Sequence, residues 1–262
     1  MNKLTRQLKT IQSSGRPGYM MHIVAGYPDL GGSRQVAKTI LNAGADFLEI
    51  QIPFSDPVAD GPVIASANET ALANGVTVRS SLDLIEEITG STEKPIIIMS
   101  YFNIIHRYGV EAFCKKARSI GVQGLIIPDY PYDEDDGDEL IRHCQDNQLA
   151  FIQVLASTTT NERMAQISRT ASGFLYCMAR TGITGKTTTI NEETKAYLQN
   201  VKNHSSLPLA VGFGISGNDQ VKALQPYAEI MVVGSALINT YTNKPLGTGL
   251  VAVKKFIKNL LD

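Results

Sequence analysis

Short apolar runs alternate along this chain with longer segments in which apolar residues recur at helical spacing. The apolar runs predict eight buried strands, at 19–24, 47–52, 95–100, 124–127, 150–155, 174–178, 209–212 and 230–233. Helical spacing, with a capping residue before several segments, predicts helices at 33–42, 110–120, 134–147, 161–170 and 191–203. Two further helical patterns occur at 4–13 and 77–88.

This alternation is typical of an α/β protein with a parallel sheet whose two faces are both covered. Eight strand and helix units in 262 residues predict closure into a (β/α)8 barrel, the TIM-barrel fold. A doubly wound open sheet is the alternative, and it is disfavoured because no GxGxxG follows the first strand. Without a linker or a low-complexity segment, we expect one domain over residues 1–262. The helix at 77–88 lengthens the second connection, and we expect 4–13 to cap the bottom of the barrel.

The composition narrows the class of protein. A net charge of -1 with 43% hydrophobic residues gives no electrostatic signature for nucleic acid or an anionic membrane. No apolar run approaches the roughly 20 residues of a membrane helix, and the start lacks a signal-peptide core, so we expect a cytoplasmic protein. Three widely spaced cysteines, Cys114, Cys144 and Cys177, predict reduced and packed thiols rather than a disulfide framework or a zinc site.

The segment LEIQIPFSDPVADGP, at 48–62, places a glutamate inside an apolar strand. Side chains alternate along a strand, so Glu49 and Gln51 face the barrel interior while Leu48 and Ile50 face the helices. Burial raises the pKa of a carboxyl group unless a partner compensates, which prepares such a group for proton transfer. A structural carboxylate, held by a buried hydrogen bond or ion pair, is the alternative. Because barrel active sites lie at the carboxyl ends of the strands, Glu49 is a candidate catalytic residue.

Two more carboxylates, Asp56 and Asp60, lie in the loop that follows this strand. Pro53, Pro57 and Pro62 fix the backbone there and stiffen the loop. A solvated surface loop explains Asp56 equally well, because Ser-Asp-Pro is ordinary turn chemistry. We expect the loops at 53–60 and 182–188 to form a partner interface, with Pro53 and Asp56 as its residues, because they connect the catalytic groups to the barrel rim.

Glycine-rich loops follow the last strands. VGFGISG, at 211–217, ends the seventh strand and VVGSAL, at 232–237, ends the eighth. Both offer backbone amides to an anion, and a helix predicted to begin at Ser235 adds its positive end. Gly182 and Gly185, in ARTGITGK after the sixth strand, are candidates for a third wall. Glycines also cap helices and form turns, but two such loops on consecutive strands favour a phosphate site.

The chain resembles the α subunit of tryptophan synthase over essentially its full length. The resemblance is carried by LEIQIPFSDPVADGP, by ARTGITG at 179–185, by GFGIS at 212–216 and by GSAL at 234–237, in the family's order and spacing. It implies a lyase of tryptophan biosynthesis that cleaves indole-3-glycerol phosphate to indole and D-glyceraldehyde 3-phosphate. It also implies a β-subunit partner that carries pyridoxal phosphate, an α2β2 heterotetramer, and no cofactor or metal in this chain.

The resemblance also implies roles for single residues. Glu49 matches the family's catalytic acid and base, Asp60 its second catalytic carboxylate, and Tyr176 a tyrosine near the reacting glycerol carbon. Thr184 matches a threonine that holds the closed loop after the sixth strand through a hydrogen bond to Asp60. The matched phosphate-binding residues are Gly185, Gly214, Gly234 and Ser235.

The chemistry fits two carboxylates in different environments. Cleavage requires a proton delivered to indole C3 and a proton removed from the neighbouring hydroxyl, and one buried carboxyl, Glu49, performs both in turn. Protonation at C3 puts positive charge on the indole nitrogen. An ionised Asp60 that accepts a hydrogen bond from that N–H stabilises the charge.

The sequence departs from the family at several positions. Gln51 stands where the family usually has glycine, and it either crowds the pocket or hydrogen-bonds Glu49. His22 and Val24 replace an aromatic residue and a threonine, and we interpret His22 as a packed or satisfied core histidine rather than a catalyst. The acidic run at 129–136 is interpreted as a solvated helix start.

Other functions fit less well but two stay open. A Schiff-base aldolase needs a desolvated lysine at a strand's carboxyl end, whereas Lys94 is placed at the bottom of the third strand. A metal enzyme needs clustered ligands, and the four histidines are scattered. A related isomerase or synthase acting on a phosphorylated substrate is the enzymatic alternative. A noncatalytic regulator that keeps the docking surface and the phosphate site is the alternative from another class.

Overall fold

The structure is a computed structural model, and it describes residues 1–130, 137–178, 190–212 and 214–261. Its strands are β1 Gly18–Val24, β2 Phe47–Gln51, β3 Ile96–Met99, β4 Gly124–Ile126, β5 Ala150–Ile152, β6 Val154–Ala156, β7 Leu175–Met178, β8 Leu209–Gly212 and β9 Ile230–Val233. Its helices are α1 Lys3–Ser14, α2 Leu30–Ala43, α3 Pro62–Ala73, α4 Val78–Gly90, α5 Phe102–Tyr108, α6 Val110–Ser119, α7 Gly137–Asp146, α8 Asn161–Thr170, α9 Glu192–His204, α10 Asn218–Leu224, α11 Ser235–Tyr241 and α12 Leu246–Leu261.

All neighbouring strands pair in parallel, in the order β5-β4-β3-β2-β1-β9-β8-β7-β6. The two strands at the ends of this order, β5 and β6, are consecutive in the chain and separated only by Gln153. The sheet therefore closes into a barrel, which confirms the predicted fold class.

The predicted fifth strand, 150–155, is divided in the structure. β5 pairs with β4, whereas β6 pairs with β7, so the chain changes its hydrogen-bonding neighbour at Gln153. The Gln153 carbonyl already accepts a hydrogen bond from the Tyr176 amide, and its side chain donates one to Thr170. One continuous apolar run thus forms two short strands where the barrel closes.

Capping side chains set several helix starts. Asp29 accepts a hydrogen bond from the Gly32 amide, so α2 begins before the predicted 33–42. Thr77 and Ser80 form a reciprocal capping box at the start of α4. The helix predicted at 134–147 appears as α7, and residues 134–136 lie outside the described part of the chain.

The apolar side chains form two layers, as predicted from their alternation. Leu48 and Ile50 pack between the sheet and the helices, whereas Phe47 lies in the cluster inside the barrel. Leu4 and Ile11 of α1 join that inner cluster, so this helix closes the amino-terminal end of the barrel, as predicted for 4–13.

A buried carboxylate holds the same end together. Asp46, which precedes β2, is fully buried. Its two oxygens each lie 2.7 Å from a guanidinium nitrogen of Arg16, and they also accept hydrogen bonds from the Tyr19 amide at 3.0 Å and the Gln7 side chain at 2.7 Å. One side chain therefore joins α1, β1 and β2.

The structure also shows where the three cysteines and Lys94 lie. Cys114, Cys144 and Cys177 are buried free thiols. Lys94 lies beside Asp46, 3.9 Å from its Oδ1, at the end of the barrel away from the strands' carboxyl ends. Among the residues described, no helix has the length and apolar character needed to cross a bilayer.

Candidate active site

A cavity of about 350 Å³ opens at the carboxyl ends of the barrel strands. It is lined by most of the site residues that the sequence predicts, namely Glu49, Asp60, Tyr176, Gly214, Gly234 and Ser235. Apolar side chains from several strands complete the wall, among them Met99, Ile126, Val154 and Met178. The structure thus brings together residues that are far apart in the sequence.

Glu49 lies on β2 with its side chain inside the barrel, and it is only 3% exposed. Its Oε1 atom lies 3.1 Å from Nδ1 of His22, the residue directly opposite on β1. Its Oε2 atom is buried and has no hydrogen-bond partner among the described residues. One carboxylate oxygen is therefore held by the protein, and the other is left for a ligand in the cavity.

His22 is the partner that compensates the burial of Glu49. Burial lowers the pKa of His22, but the charge and hydrogen bond of Glu49, with smaller contributions from Asp60 and Gln51, outweigh this and raise the pKa above its usual value. His22 is thus a buried histidine whose Nδ1 atom is satisfied, as interpreted from the sequence. That its partner is Glu49 follows from the register between β1 and β2, which the sequence does not show.

Asp60 lies in the loop between β2 and α3, and the Gln51 amide donates a hydrogen bond to its Oδ2 over 2.6 Å. The expected alternative, a bond from Gln51 to Glu49, does not form. Burial raises the pKa of Asp60, while the hydrogen bond from Gln51, the charge of His22 and a hydrogen bond from Tyr101 offset part of this effect. Gln51 therefore anchors the second carboxylate rather than the first.

Asn68, on α3, was not predicted from the sequence. It is fully buried, and its side-chain oxygen accepts hydrogen bonds from the Phe54 amide at 3.0 Å and from Gln51 at 3.3 Å. Its side-chain nitrogen donates to the Ile64 carbonyl and, at 3.5 Å, to Asp60. An asparagine within the apolar run VIASANETALA was the only signal of this role.

Tyr176 reaches the cavity from β7 and packs over Gly212 of β8. Burial, together with the charges of Glu49 and Asp60, raises the pKa of Tyr176 well above its usual range, so the side chain is a neutral phenol. A Cβ atom at Gly212 would lie 2.9 Å from the Tyr176 hydroxyl oxygen, closer than real contacts allow. Because Gly212 has no side chain, the Tyr176 ring has room to pack against it.

We expect Gly212→Ala to displace Tyr176 and to lower kcat/KM for the reaction of this cavity by between about tenfold and a hundredfold, since ångström-scale misplacement costs that much. Steady-state kinetics measure the loss. Gly247→Ala on α12, where an added Cβ would contact nothing within 4 Å, is the matched control. Equal activity in the two variants would show that the position of Tyr176 does not matter.

The glycine loops after β8 and β9 border the same cavity. Gly214 has a backbone φ of 65°, in the left-handed region that favours glycine. Ser235 is the first residue of α11, as predicted, and its preceding residue Gly234 also lines the cavity. Thr184 and Gly185 lie outside the described residues.

The two predicted interface residues differ in exposure. Asp56 is exposed at the rim, whereas Pro53 is buried beneath the loop. Val58, between them and Asp60, is 82% exposed although it is apolar. Because Pro53 is buried, it would contribute to a partner contact only by fixing the loop that carries Asp56 and Val58.

Within the described ranges, no three His, Cys, Asp or Glu side chains are grouped so that they would hold a metal ion. His106, His143 and His204 lie on helices, away from His22. The arrangement in the cavity is one buried carboxylate, one half-buried carboxylate, one imidazole and one phenol. These are groups for moving protons.

The chain is similar in sequence to tryptophan synthase alpha chains. The family model described as "Tryptophan synthase alpha chain" matches residues 8–258. A curated tryptophan synthase alpha chain from Syntrophotalea carbinolica is 41% identical over 241 residues, which cover 92% of this chain and 93% of that relative. The corresponding protein from Roseiflexus sp. is 36% identical and covers 99% of both chains.

Solved structures agree with these sequence matches. A chain of Mycobacterium tuberculosis tryptophan synthase superposes with a TM-score of 0.90 at 30% identity, covering 99% of this chain and 96% of that one. A mutant tryptophan synthase alpha subunit from Pyrococcus furiosus gives a TM-score of 0.85 at 29% identity, covering 93% of this chain and 97% of that one. The likeness extends over the whole barrel.

Proposed function

This chain belongs to the tryptophan synthase alpha chain family, the subunit that cleaves indole-3-glycerol phosphate in tryptophan biosynthesis, and on that basis we propose that its reaction is a carbon–carbon bond cleavage performed by Glu49 and Asp60. The observation that carries this proposal is the Oε2 atom of Glu49, which is buried and without a hydrogen-bond partner among the described residues, in a side chain that lines the same cavity as Asp60. A carboxyl group in this position can give a proton to a ligand in the cavity when it is protonated and take one when it is ionised.

The reaction consists of two proton transfers and one bond cleavage. Glu49 delivers a proton to C3 of the indole, which leaves the ring positively charged. It then removes the proton from the hydroxyl group on the adjacent carbon as the bond between that carbon and C3 breaks. The products are indole, which keeps the delivered proton at C3, and an aldehyde, and the hydroxyl proton leaves Glu49 protonated again.

Asp60 stabilises the charged intermediate. Its Oδ2 atom is held by Gln51 and Asn68, so the carboxylate is fixed before substrate arrives. An ionised carboxylate at this point accepts a hydrogen bond from the indole N–H, where the positive charge develops. Tyr176 completes the site near the glycerol chain, and the apolar wall with Met99 and Ile126 accepts the flat face of the indole.

The phosphate group is assigned to the loops after β8 and β9. Gly214 and Gly234 present backbone without side chains at the cavity edge, and Ser235 begins α11 there. Amides in the first turn of a helix have no partner within the helix and are available to an anion. Gly185 and Thr184 stay predictions for the same end of the substrate and for loop closure.

Membership of this family implies a β-subunit partner. We assign the partner contact to the rim loop with Asp56 and Val58, which are exposed beside the catalytic carboxylate Asp60. An α2β2 heterotetramer and pyridoxal phosphate in the β subunit are the corresponding proposals for the assembly. Cytoplasmic location stays a prediction from the sequence.

The test is indole release from indole-3-glycerol phosphate, measured for the purified chain alone and with a matching β subunit. We expect release in both cases and faster release with the β subunit. If a glycerol phosphate analogue binds but no indole is released, the chain is a noncatalytic regulator. Absence of both binding and release would favour an enzyme acting on a different phosphorylated substrate.

In the same assay we expect Asp60→Asn to lower kcat by about 10²- to 10³-fold, because the neutral amide does not stabilise the positive indole nitrogen. Asp83→Asn, on the exposed face of α4, is the matched control and should leave kcat unchanged. A full rate in Asp60→Asn would remove Asp60 from the mechanism.

A further inference from the structure

The contact between His22 and Glu49 lies inside the active site. The two side chains are on neighbouring strands, are 6% and 3% exposed, and approach to 3.1 Å. Two charges brought together out of water must compensate each other, because either one alone would lose its hydration at a high cost. The pair therefore behaves as one unit with respect to protons.

The surroundings of His22 are acidic or neutral. Glu49 and Asp60 supply negative charge, the phenol of Tyr176 faces the same two carboxylates, and the carboxamide of Gln51 lies beside the ring. Of the cavity-lining residues that the structure describes, His22 is the single one able to carry positive charge. On the remaining side lies Gly234, where an added Cβ atom would be in ordinary van der Waals contact with the His22 side chain, 3.7 Å from its ring.

Two unsatisfied atoms extend this arrangement toward Asp60. Within the described part of the chain, Nε2 of His22 and Oε1 of Gln51 are both buried without hydrogen-bond partners. The first is a donor in the imidazolium form and the second is an acceptor. Gln51 lies two residues beyond Glu49 on the same interior face, and its other amide atom holds Asp60. Two polar contacts, His22 with Glu49 and Gln51 with Asp60, thus occupy the interior of the barrel where β1, β2 and the loop after β2 meet.

We propose that His22 is a positioning residue for the lyase reaction: it holds Glu49 by Oε1 and directs Oε2 at the substrate. His22 also shares one ionisable proton with Glu49, which the carboxyl delivers to C3 and replaces with the proton from the hydroxyl. This inference rests on the proposed function and adds a residue to it. His22 does not contact the reacting carbons, because it acts through Glu49.

The proton balance is closed at every step. Before reaction, the pair holds one proton, on Nδ1 of His22 or on Glu49. Transfer of that proton from Glu49 to C3 leaves neutral His22 and ionised Glu49. Removal of the hydroxyl proton, as the carbon–carbon bond breaks and the aldehyde forms, returns one proton to the pair. No oxidant, reductant or external acid is needed.

This arrangement determines the alkaline limb of the pH profile. The reaction stops when the pair loses its last proton, and two basic positions bind that proton at least as tightly as one does. The raised pKa of His22 acts in the same direction, since the imidazolium persists to higher pH than it would without Glu49. Removing the imidazole therefore moves the alkaline limb to lower pH.

The kinetic test uses His22→Asn, whose amide nitrogen reproduces Nδ1 as a hydrogen-bond donor but holds no ionisable proton. We expect the alkaline limb of the kcat profile to move down by at least about one pH unit, with a smaller change in KM. His204→Asn, at the end of α9, is the matched control and should keep the wild-type profile. An unshifted limb in His22→Asn, with kcat merely scaled, overturns the proposal.

A second measurement does not depend on turnover. The chain has four histidines, so nitrogen-15 labelling of histidine resolves the titration of His22 by NMR. We expect its pKa to fall in Glu49→Gln, because the opposing charge is gone and burial remains. Equal His22 pKa values in the two proteins overturn the proposal even if indole is released. Coupled titration without indole release would instead refute the lyase function and leave the pair intact.

Discussion

Replacing Glu49 by glutamine is expected to lower kcat for indole release by about 10³- to 10⁴-fold, at the upper end of what general acid and base catalysis supplies. Glutamine has nearly the same shape, but its amide neither gives a proton to C3 nor takes one from the hydroxyl. Both proton transfers are lost together because one side chain performs them. Steady-state indole formation at saturating substrate measures the change in kcat.

The structure makes this substitution informative about chemistry rather than folding. In Glu49→Gln, the amide occupies the same buried position opposite His22, so no cavity is created. We expect KM to change much less than kcat, because the phosphate loops and the apolar wall still bind the substrate. Glu69→Gln, on the exposed face of α3, is the matched control. A Glu49→Gln variant retaining more than about a tenth of kcat would assign the acid to another group.

A shorter acid tests the position of the carboxyl group. Glu49→Asp keeps the chemistry but withdraws the carboxyl by one methylene from both His22 and the cavity. We expect an intermediate loss, of about 10²-fold, because misplacement by about 1 Å costs that much. If Glu49→Asp were as inactive as Glu49→Gln, the exact reach of the carboxyl would matter as much as its ionisation.

The fold was predictable where the pattern was long and regular. Seven of the eight apolar runs each form one barrel strand and the fifth forms two, because burial on both faces leaves a near-continuous apolar signal. The helices α5 and α10, with seven residues each, were not predicted, since two turns are too short to show a 3.6-residue period. The sixteen-residue helix α12 was also not predicted, and shortness does not explain that omission. The division of the fifth strand depends on which neighbour each half pairs with. Local sequence carries no such information.

The candidate site was predictable in its carboxylates but not in their partners. Glu49 and Asp60 stand out because a charged residue interrupts an apolar strand and a stiff loop follows it. The role of His22 depends on the register between β1 and β2, and that of Asn68 on how α3 folds back over the loop. Several polar groups were equally near Gln51 in the sequence, so only the path of the loop decides that it bonds Asp60.

The largest expected effect on stability comes from the opposite end of the barrel. We expect Asp46→Ala to lower the free energy of unfolding by about 3 kcal/mol, because removing one member of a buried ion pair leaves its partners uncompensated. The Tyr19 amide and the Gln7 side chain lose their acceptor along with Arg16. Arg16 is itself 46% exposed and regains some hydration, which limits the loss.

Urea unfolding followed by circular dichroism measures this change, and thermal unfolding should show a fall in Tm of about 6 to 12 °C.

Asp46→Asn separates charge from hydrogen bonding, because the amide keeps an acceptor for the Tyr19 N–H but loses the ion pair, so we expect about half of the effect. Asp83→Ala on exposed α4 is the control and should change stability by less than about 0.5 kcal/mol. Because Asp46 lies before β2, at the end of the barrel opposite the cavity, activity measured well below the unfolding transition should survive in Asp46→Ala. Loss of activity without loss of stability would mean that this carboxylate sets the position of β2 rather than the stability of the barrel.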